Sequence, residues 1–247
     1  MKILVYTYAE SYTLQLAIEM IPKGIEPIET KSKEDALQLL KSQEDIHIVV
    51  SESPEIDFLQ QVKDTRKDLH VLLLFHQNLK PKDLMSMMSL GITALVEYNP
   101  SAAIVADGII QNILKFGLRT PERRAHLRVQ PSNIENAVGA VYLRDAAKFI
   151  RGNLIDISAG GAAIAFYDSI ESSMLLQNHV YDPVLLQMRG LEIKTIARLK
   201  GKRDSTAGFQ FENVEEREMN KIATYVHYKM NEGSEDFYET ILRSSSK

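Results

Sequence analysis

The chain contains no cysteine. That single absence removes disulfide staples, thiolate metal sites and a cysteine nucleophile, and leaves the redox compartment open. No run approaches the roughly 18 apolar residues of a membrane-spanning helix. The opening Met1-Lys-Ile-Leu-Val-Tyr6 is too short an apolar stretch for a signal peptide and has no small-residue cleavage site, so a cytoplasmic protein is expected. An excess of positive charge is also missing. Residues 1–118 carry 11 basic and 16 acidic side chains, and residues 119–247 carry 18 and 17. General nucleic-acid binding needs a strongly basic face, and neither half supplies one. What is present is an ordinary globular composition, 45% apolar and 25% charged over 247 residues. That length suits two domains, and the charge asymmetry suggests that they have different partners.

The first half alternates strands and helices. Residues 2–8 read as a short apolar strand and 14–21 as a helix. A strand near 24–28 precedes a helix over 33–41, whose Ala36, Leu37, Leu39 and Leu40 form the apolar face. Residues 46–50 and 71–75 are five-residue runs dominated by Ile, Val and Leu, as in strands buried on both faces of a parallel sheet. A Met-rich helix over 81–90 ends at Gly91, a strand follows over 92–98, and Asn99-Pro100 opens a helix to about Lys115. This pattern predicts a doubly wound α/β domain over 1–117.

The order and spacing resemble the receiver domain of bacterial response regulators. That family keeps an acidic pair after the first strand, a phospho-accepting Asp after the third, and a Lys before a Pro after the fifth. Here those positions read Tyr8-Ala9-Glu10, Val50-Ser51-Glu52 and Tyr98-Asn99-Pro100. Without clustered carboxylates Mg²⁺ has too few hard ligands, and without the Asp no acyl phosphate forms. Glu52 as a fixed charge mimicking phosphorylation is the alternative. The plainer expectation is a receiver-like scaffold without phosphotransfer, whose acidic surface and helix faces serve a protein partner or a second copy of the chain.

Residues 116–123 read as a linker in which Gly117 ends the last helix and Pro121 stops its continuation. The hydrophobic period then changes. Short, partly alternating segments over 138–143, 153–157, 161–166, 183–188, 191–199 and 206–211 predict a small antiparallel barrel. Asn213-Val-Glu-Glu216 has capping-box spacing, and Met219, Ile222, Ala223, Val226 and Met230 follow at helical intervals. That stripe is expected to pack on the barrel rather than on a partner. The second domain is therefore set at 118–231, with a tail over 232–247.

Two segments of this half stand out. Arg123-Arg124-Ala-His-Leu-Arg128 precedes the first strand of the barrel, and Asp156-Ile-Ser158-Ala-Gly160-Gly161 sits at a strand–turn–strand junction. Singly, the first is a solvated basic turn. The second is a hairpin in which Asp and Ser bond local amides and the glycines supply positive φ. His126 has no companion at metal-ligand spacing, and Ser158 lacks the context of a hydrolase nucleophile.

Together and in this order the segments resemble the PilZ domain, whose signature is RxxxR followed by [D/N]xSxxG. Arg124, Arg128, Asp156, Ser158 and Gly161 match it in full, and the resemblance runs on through Gly208-Phe-Gln-Phe211 into the C-terminal helix. It implies a non-enzymatic signalling effector that binds cyclic di-GMP, a ligand with two phosphates and two guanines. Arginine forks suit phosphate or the O6/N7 edge of guanine, and Asp156 suits guanine N–H groups. Ser158 suits a phosphate or the turn, and Gly160 and Gly161 allow close backbone approach. Arg123, directly before the motif, implies an intercalated cyclic di-GMP dimer. The alternative is a PilZ-type protein–protein adapter that does not bind the nucleotide. No metal or other cofactor is implied.

Overall fold

The computed structural model describes residues 1–8, 10–76, 87–117 and 126–230. The chain divides into two compact units, Met1–Arg124 and Ala125–Lys247.

The first unit is a five-stranded parallel sheet in the order β2-β1-β3-β4-β5. Its strands are β1 (Lys2–Tyr6), β2 (Glu26–Thr30), β3 (Ile46–Ser51), β4 (His70–Phe75) and β5 (Ala94–Glu97). That order is the flavodoxin-like form of the doubly wound fold, which receivers share. Alternation along each strand supplies two cores. Ile3, Val5, Ile48, Val50, Leu72 and Leu74 face α1 (Glu10–Met20) and α4 (Ala102–Lys115). Leu4, Val49, Val71 and Leu73 face α2 (Lys33–Ser42) and α3 (Ile56–Thr65). Helix α3 is not among the sequence expectations, because only Phe58, Leu59 and Val62 bury its inner face amid charged and amide side chains. The last helix also starts later than expected. Ser101 is its N-cap, so Pro100 stands before the cap rather than at the first helical position. Of the helix expected over 81–90, residues 87–89 are helical, and Gly91 closes them at φ 79°. Residues 81–86 and the tail 232–247 lie outside the described residues.

The positions that carry phosphotransfer in receivers hold other chemistry here. Ser51 is buried and its hydroxyl is turned onto Ser53, donating to the carbonyl at 3.3 Å and accepting from the amide at 3.2 Å. Glu52 is 8% exposed; its carboxylate accepts from the Tyr8 amide and pairs with His76 Nε2, each at 2.9 Å. His76 packs tilted against Tyr98, with ring centroids 4.4 Å apart and planes 31° from parallel.

The second unit is a closed six-stranded barrel in the order β10-β11-β8-β7-β6-β9, every neighbouring pair antiparallel. The strands are β6 (Val138–Leu143), β7 (Lys148–Ser158), β8 (Gly161–Phe166), β9 (Val180–Met188), β10 (Leu191–Arg203) and β11 (Thr206–Glu212). A short helix α5 (Ser169–Ser173) follows β8, and α6 (Glu216–Met230) ends the described chain. Closure leaves no free sheet edge, which suits a small all-β unit. Helix α6 packs on β7 and β10 and buries Ile222, Ala223, Tyr225 and Val226, so the apolar stripe covers its own barrel. Asn213 has φ 51°, the left-handed region, and the helix begins at Glu216. The capping box expected at Asn213 is therefore not formed, since an N-cap needs extended backbone.

One polar cluster ties this helix to the approach to β6. The Glu135 carboxylate is almost sealed from solvent. It accepts from Tyr225 Oη at 2.6 Å, Ser132 Oγ at 2.9 Å and Lys229 Nζ at 3.1 Å, with Arg189 Nε at 3.2 Å. Arg189 in turn lies 4.1 Å over the Tyr228 ring.

Candidate functional site

The geometry of the site starts from an irregularity in β7. The register with β8 shifts between Leu154 and Asp156, a bulge that places one extra residue in the strand. Strict alternation from the buried Leu154 would turn position 156 inward and 157 outward. The bulge reverses that phase, so Ile157 is fully buried and Asp156 is turned to the rim with its side chain 18% exposed.

A second pairing brings the arginine segment to the same place. Val129 forms an isolated antiparallel bridge with Ile157, with N–H···O distances of 2.9 and 3.0 Å. Arg128 therefore stands beside Asp156, its Nη1 3.3 Å from Oδ2 and 3.4 Å from Oδ1. These distances exceed those of a tight charge-assisted bond, and the guanidinium is half exposed. Such a pair contributes about 0–1 kcal/mol, so Arg128 is held near the rim but is cheaply recruited by another anion.

Ser158 ends β7 and pairs with Gly161 across the two-residue turn Ala159-Gly160. Its buried hydroxyl accepts from the Gly160 amide and donates to the Gly161 carbonyl, both at 3.3 Å. Of the two roles expected for Ser158, the structure shows the one that holds the turn. The local-amide role expected of Asp156 is not seen, because its carboxylate faces Arg128.

The glycines are needed for space rather than for positive φ, which neither adopts. A Cβ on Gly161 would stand 2.1 Å from the Phe209 carbonyl oxygen of β11, and one on Gly160 would stand 2.4 Å from His126 Cδ2. In both cases the obstructing atoms belong to the protein. Gly161→Ala is expected to force β8 and β11 apart and to destabilise the barrel by about 1–3 kcal/mol, read as a lower midpoint in thermal unfolding. An unchanged midpoint would show that the close approach is not tight.

Arg123 and Arg124 lie outside the described residues. His126, which sequence reasoning set aside for want of a metal partner, is half buried against Gly160. Nothing in the spacing of the two segments signals that contact.

One family model and several solved structures are similar to parts of the chain. The family model described as PilZ domain matches residues 122–228. Among solved structures, the PilZ domain of YcgR from Escherichia coli, determined with c-di-GMP, is similar to 45% of this chain over 94% of its own length, at 16% identity and a TM-score of 0.39. The K. pneumoniae MrkH–c-di-GMP complex is similar to 45% of this chain at 16% identity and a TM-score of 0.39. This chain covers 54% of MrkH, about half its length. A response regulator receiver domain protein from Clostridium thermocellum is similar to 47% of this chain over 97% of its own, at 18% identity and a TM-score of 0.40. No curated protein matches the chain. Residues 122–228 of this chain are a PilZ domain, joined to a receiver-like α/β unit.

Proposed function

We propose that the chain is a cyclic di-GMP-binding signalling effector. The observation that carries this reading is the Arg128–Asp156 pair, a loosely held cation and a rim carboxylate brought together by the Val129–Ile157 bridge inside a PilZ domain. A guanidinium that gives up about 1 kcal/mol or less to leave its partner is suited to fork onto a phosphate. Asp156 then offers its oxygens to the N–H edge of a guanine. Arg124, with Arg123 beside it, adds cations from the preceding segment, and Arg123 favours a stacked pair of nucleotides. Ser158, Gly160 and Gly161 support the site by shaping the turn on which Asp156 stands. The chemistry is recognition rather than catalysis.

Ligand that gathers the arginine segment onto the barrel rim would alter the arrangement of the two units. That follows only if one arrangement contacts the nucleotide better than the other. The receiver-like unit, with no Asp in the Val50-Ser51-Glu52 segment that ends β3, would act as a docking platform for a protein partner or a second copy.

Calorimetric titration of the full chain with cyclic di-GMP tests the reading. Saturable binding with two nucleotides per chain is expected, and Arg123→Ala is expected to reduce the count to one. Absence of heat and of competition at high nucleotide concentration would favour the protein–protein adapter. Small-angle scattering with and without nucleotide reads the change in domain arrangement.

A further inference from the structure

The position where Gly160 admits no Cβ is blocked by a side chain of the same domain. The atoms nearest to such a Cβ are His126 Cδ2 at 2.4 Å, Nε2 at 3.1 Å and Cγ at 3.3 Å. Contact at that range means that the imidazole is seated directly on the Gly160 backbone. His126 Nδ1 is shielded from solvent and has no hydrogen-bond partner among the described residues. The ring is therefore held by packing, and burial pushes its pKa below the ordinary imidazole value, in keeping with a neutral ring.

Three residues further on, Val129 is fixed to Ile157 by its two backbone hydrogen bonds. The arginine-bearing segment is thus attached twice to one hairpin, through His126 on the turn and Val129 on the strand. Arg128 lies between the two attachments. Removing the first would leave Val129 as the attachment nearest to Arg128 among the described residues.

We propose that His126 is a positioning residue of the nucleotide site. Seated on Gly160, it fixes the segment so that Arg128 is presented beside Asp156 before the ligand arrives, and it does not itself touch the nucleotide. This rests on the cyclic di-GMP reading above. A segment already ordered loses less freedom on binding, so the seat contributes affinity without a contact. It also reassigns Gly160, whose missing side chain makes room for His126 rather than for a base.

Four forms of the full chain provide the test: wild type, His126→Ala, Gly160→Ala and the double variant. Without nucleotide, trypsin cleavage after Arg128 is followed by mass spectrometry. Cleavage is expected to be slow in wild type and severalfold faster in each single variant. The double variant is expected to be no faster than the singles, because one seat can be lost only once.

In calorimetric titration with cyclic di-GMP, each single variant is expected to bind on the order of tenfold more weakly and the double variant no more weakly than either. His126→Phe, which keeps an aromatic ring over Gly160, is expected to recover most of the affinity. Losses that multiply in the double variant would overturn the proposal, since Gly160 would then serve the nucleotide itself. Unchanged cleavage in both single variants would overturn it too. If wild type takes up no cyclic di-GMP while cleavage follows the expected pattern, the nucleotide reading fails and the seat stands as the fixing of the arginine segment.

Discussion

Arg128→Ala lowers the affinity for cyclic di-GMP by roughly a hundred- to a thousandfold, more than Arg124→Ala does. Two effects add at position 128 and only one acts at position 124. Each arginine supplies charge-assisted bonds to the nucleotide, about 1.5–3 kcal/mol, or roughly ten- to a hundredfold in affinity. Arg128 also neutralises Asp156, whose side chain is 18% exposed and lies 3.3 Å from the guanidinium. Without that cation the carboxylate faces the phosphates of a dianionic ligand. At several ångströms in a half-exposed site this repulsion is about 1–2 kcal/mol. Arg128→Lys is expected to restore the neutralisation but not the fork, and so to recover only part of the loss. Asp156→Asn in the Arg128→Ala background relieves the repulsion and recovers the other part. Titration of these variants decides the matter. A larger loss from Arg124→Ala than from Arg128→Ala would show that Asp156 does not sit near a phosphate, and an unchanged dissociation constant in Arg128→Ala would remove it from the site.

The sequence makes the fold more legible than the reasons behind individual residues. Alternation and apolar runs place the five strands of the first unit, and β3 and β4 are the plainest because, buried on both faces, they carry Ile, Val and Leu at most positions. They also place the six strands of the barrel, β6 and β8 at full length but β7, β9 and β10 too short. Strand β7 begins at Lys148, β9 at Val180, and β10 runs on to Arg203. The missed ends of β7 and β10 carry Lys148, Arg151, Lys200, Lys202 and Arg203, all exposed, whose charge masks the strand pattern. Helix α3 escapes for the opposite reason, having few apolar residues to bury. At the site, the motif residues are readable but their mechanics are not. The bridge between Val129 and Ile157 and the contact of His126 with Gly160 are tertiary pairings between segments 28 and 34 residues apart, and the bulge at Asp156 shows only in the register of β7 on β8. No local spacing encodes them. The glycines add a reason that residue type does not carry: neither has the positive φ of a turn glycine, and the space a Cβ would need is taken by Phe209 and His126.

Acid removes the second unit's stability in two successive windows, both acting on helix α6. His227 is 7% exposed, and burial takes its pKa down to about 4. Unfolded, it titrates near 6.5, so between those values the unfolded chain binds the proton and the folded one does not. The contribution is whole above about pH 6.5 and is lost as the pH falls towards 4, on the order of 3 kcal/mol. Glu135 follows. Burial pushes its carboxyl up, but hydrogen bonds from Tyr225, Lys229 and Ser132 outweigh that and hold it below its usual value. Its contribution is therefore present above the ordinary glutamate pKa, about 4.3, and disappears as the pH drops through the lower folded value. Urea unfolding read from barrel amides by NMR keeps the transition apart from that of the first unit. In wild type it is expected to weaken progressively below pH 6.5, and in His227→Gln to stay flat down to about pH 4.5. Glu135→Gln keeps the shape but removes the carboxylate from Lys229 and Arg189, which are 4% and 16% exposed in their side chains. The expected cost at pH 7 is about 3–5 kcal/mol, with the lower window abolished. A wild-type stability that stays level from pH 7 to 4.5 would mean that His227 is protonated in the folded chain. A Glu135→Gln variant as stable as wild type would mean that hydrogen bonds to Tyr225 and Ser132, rather than charge, hold α6 to the approach to β6.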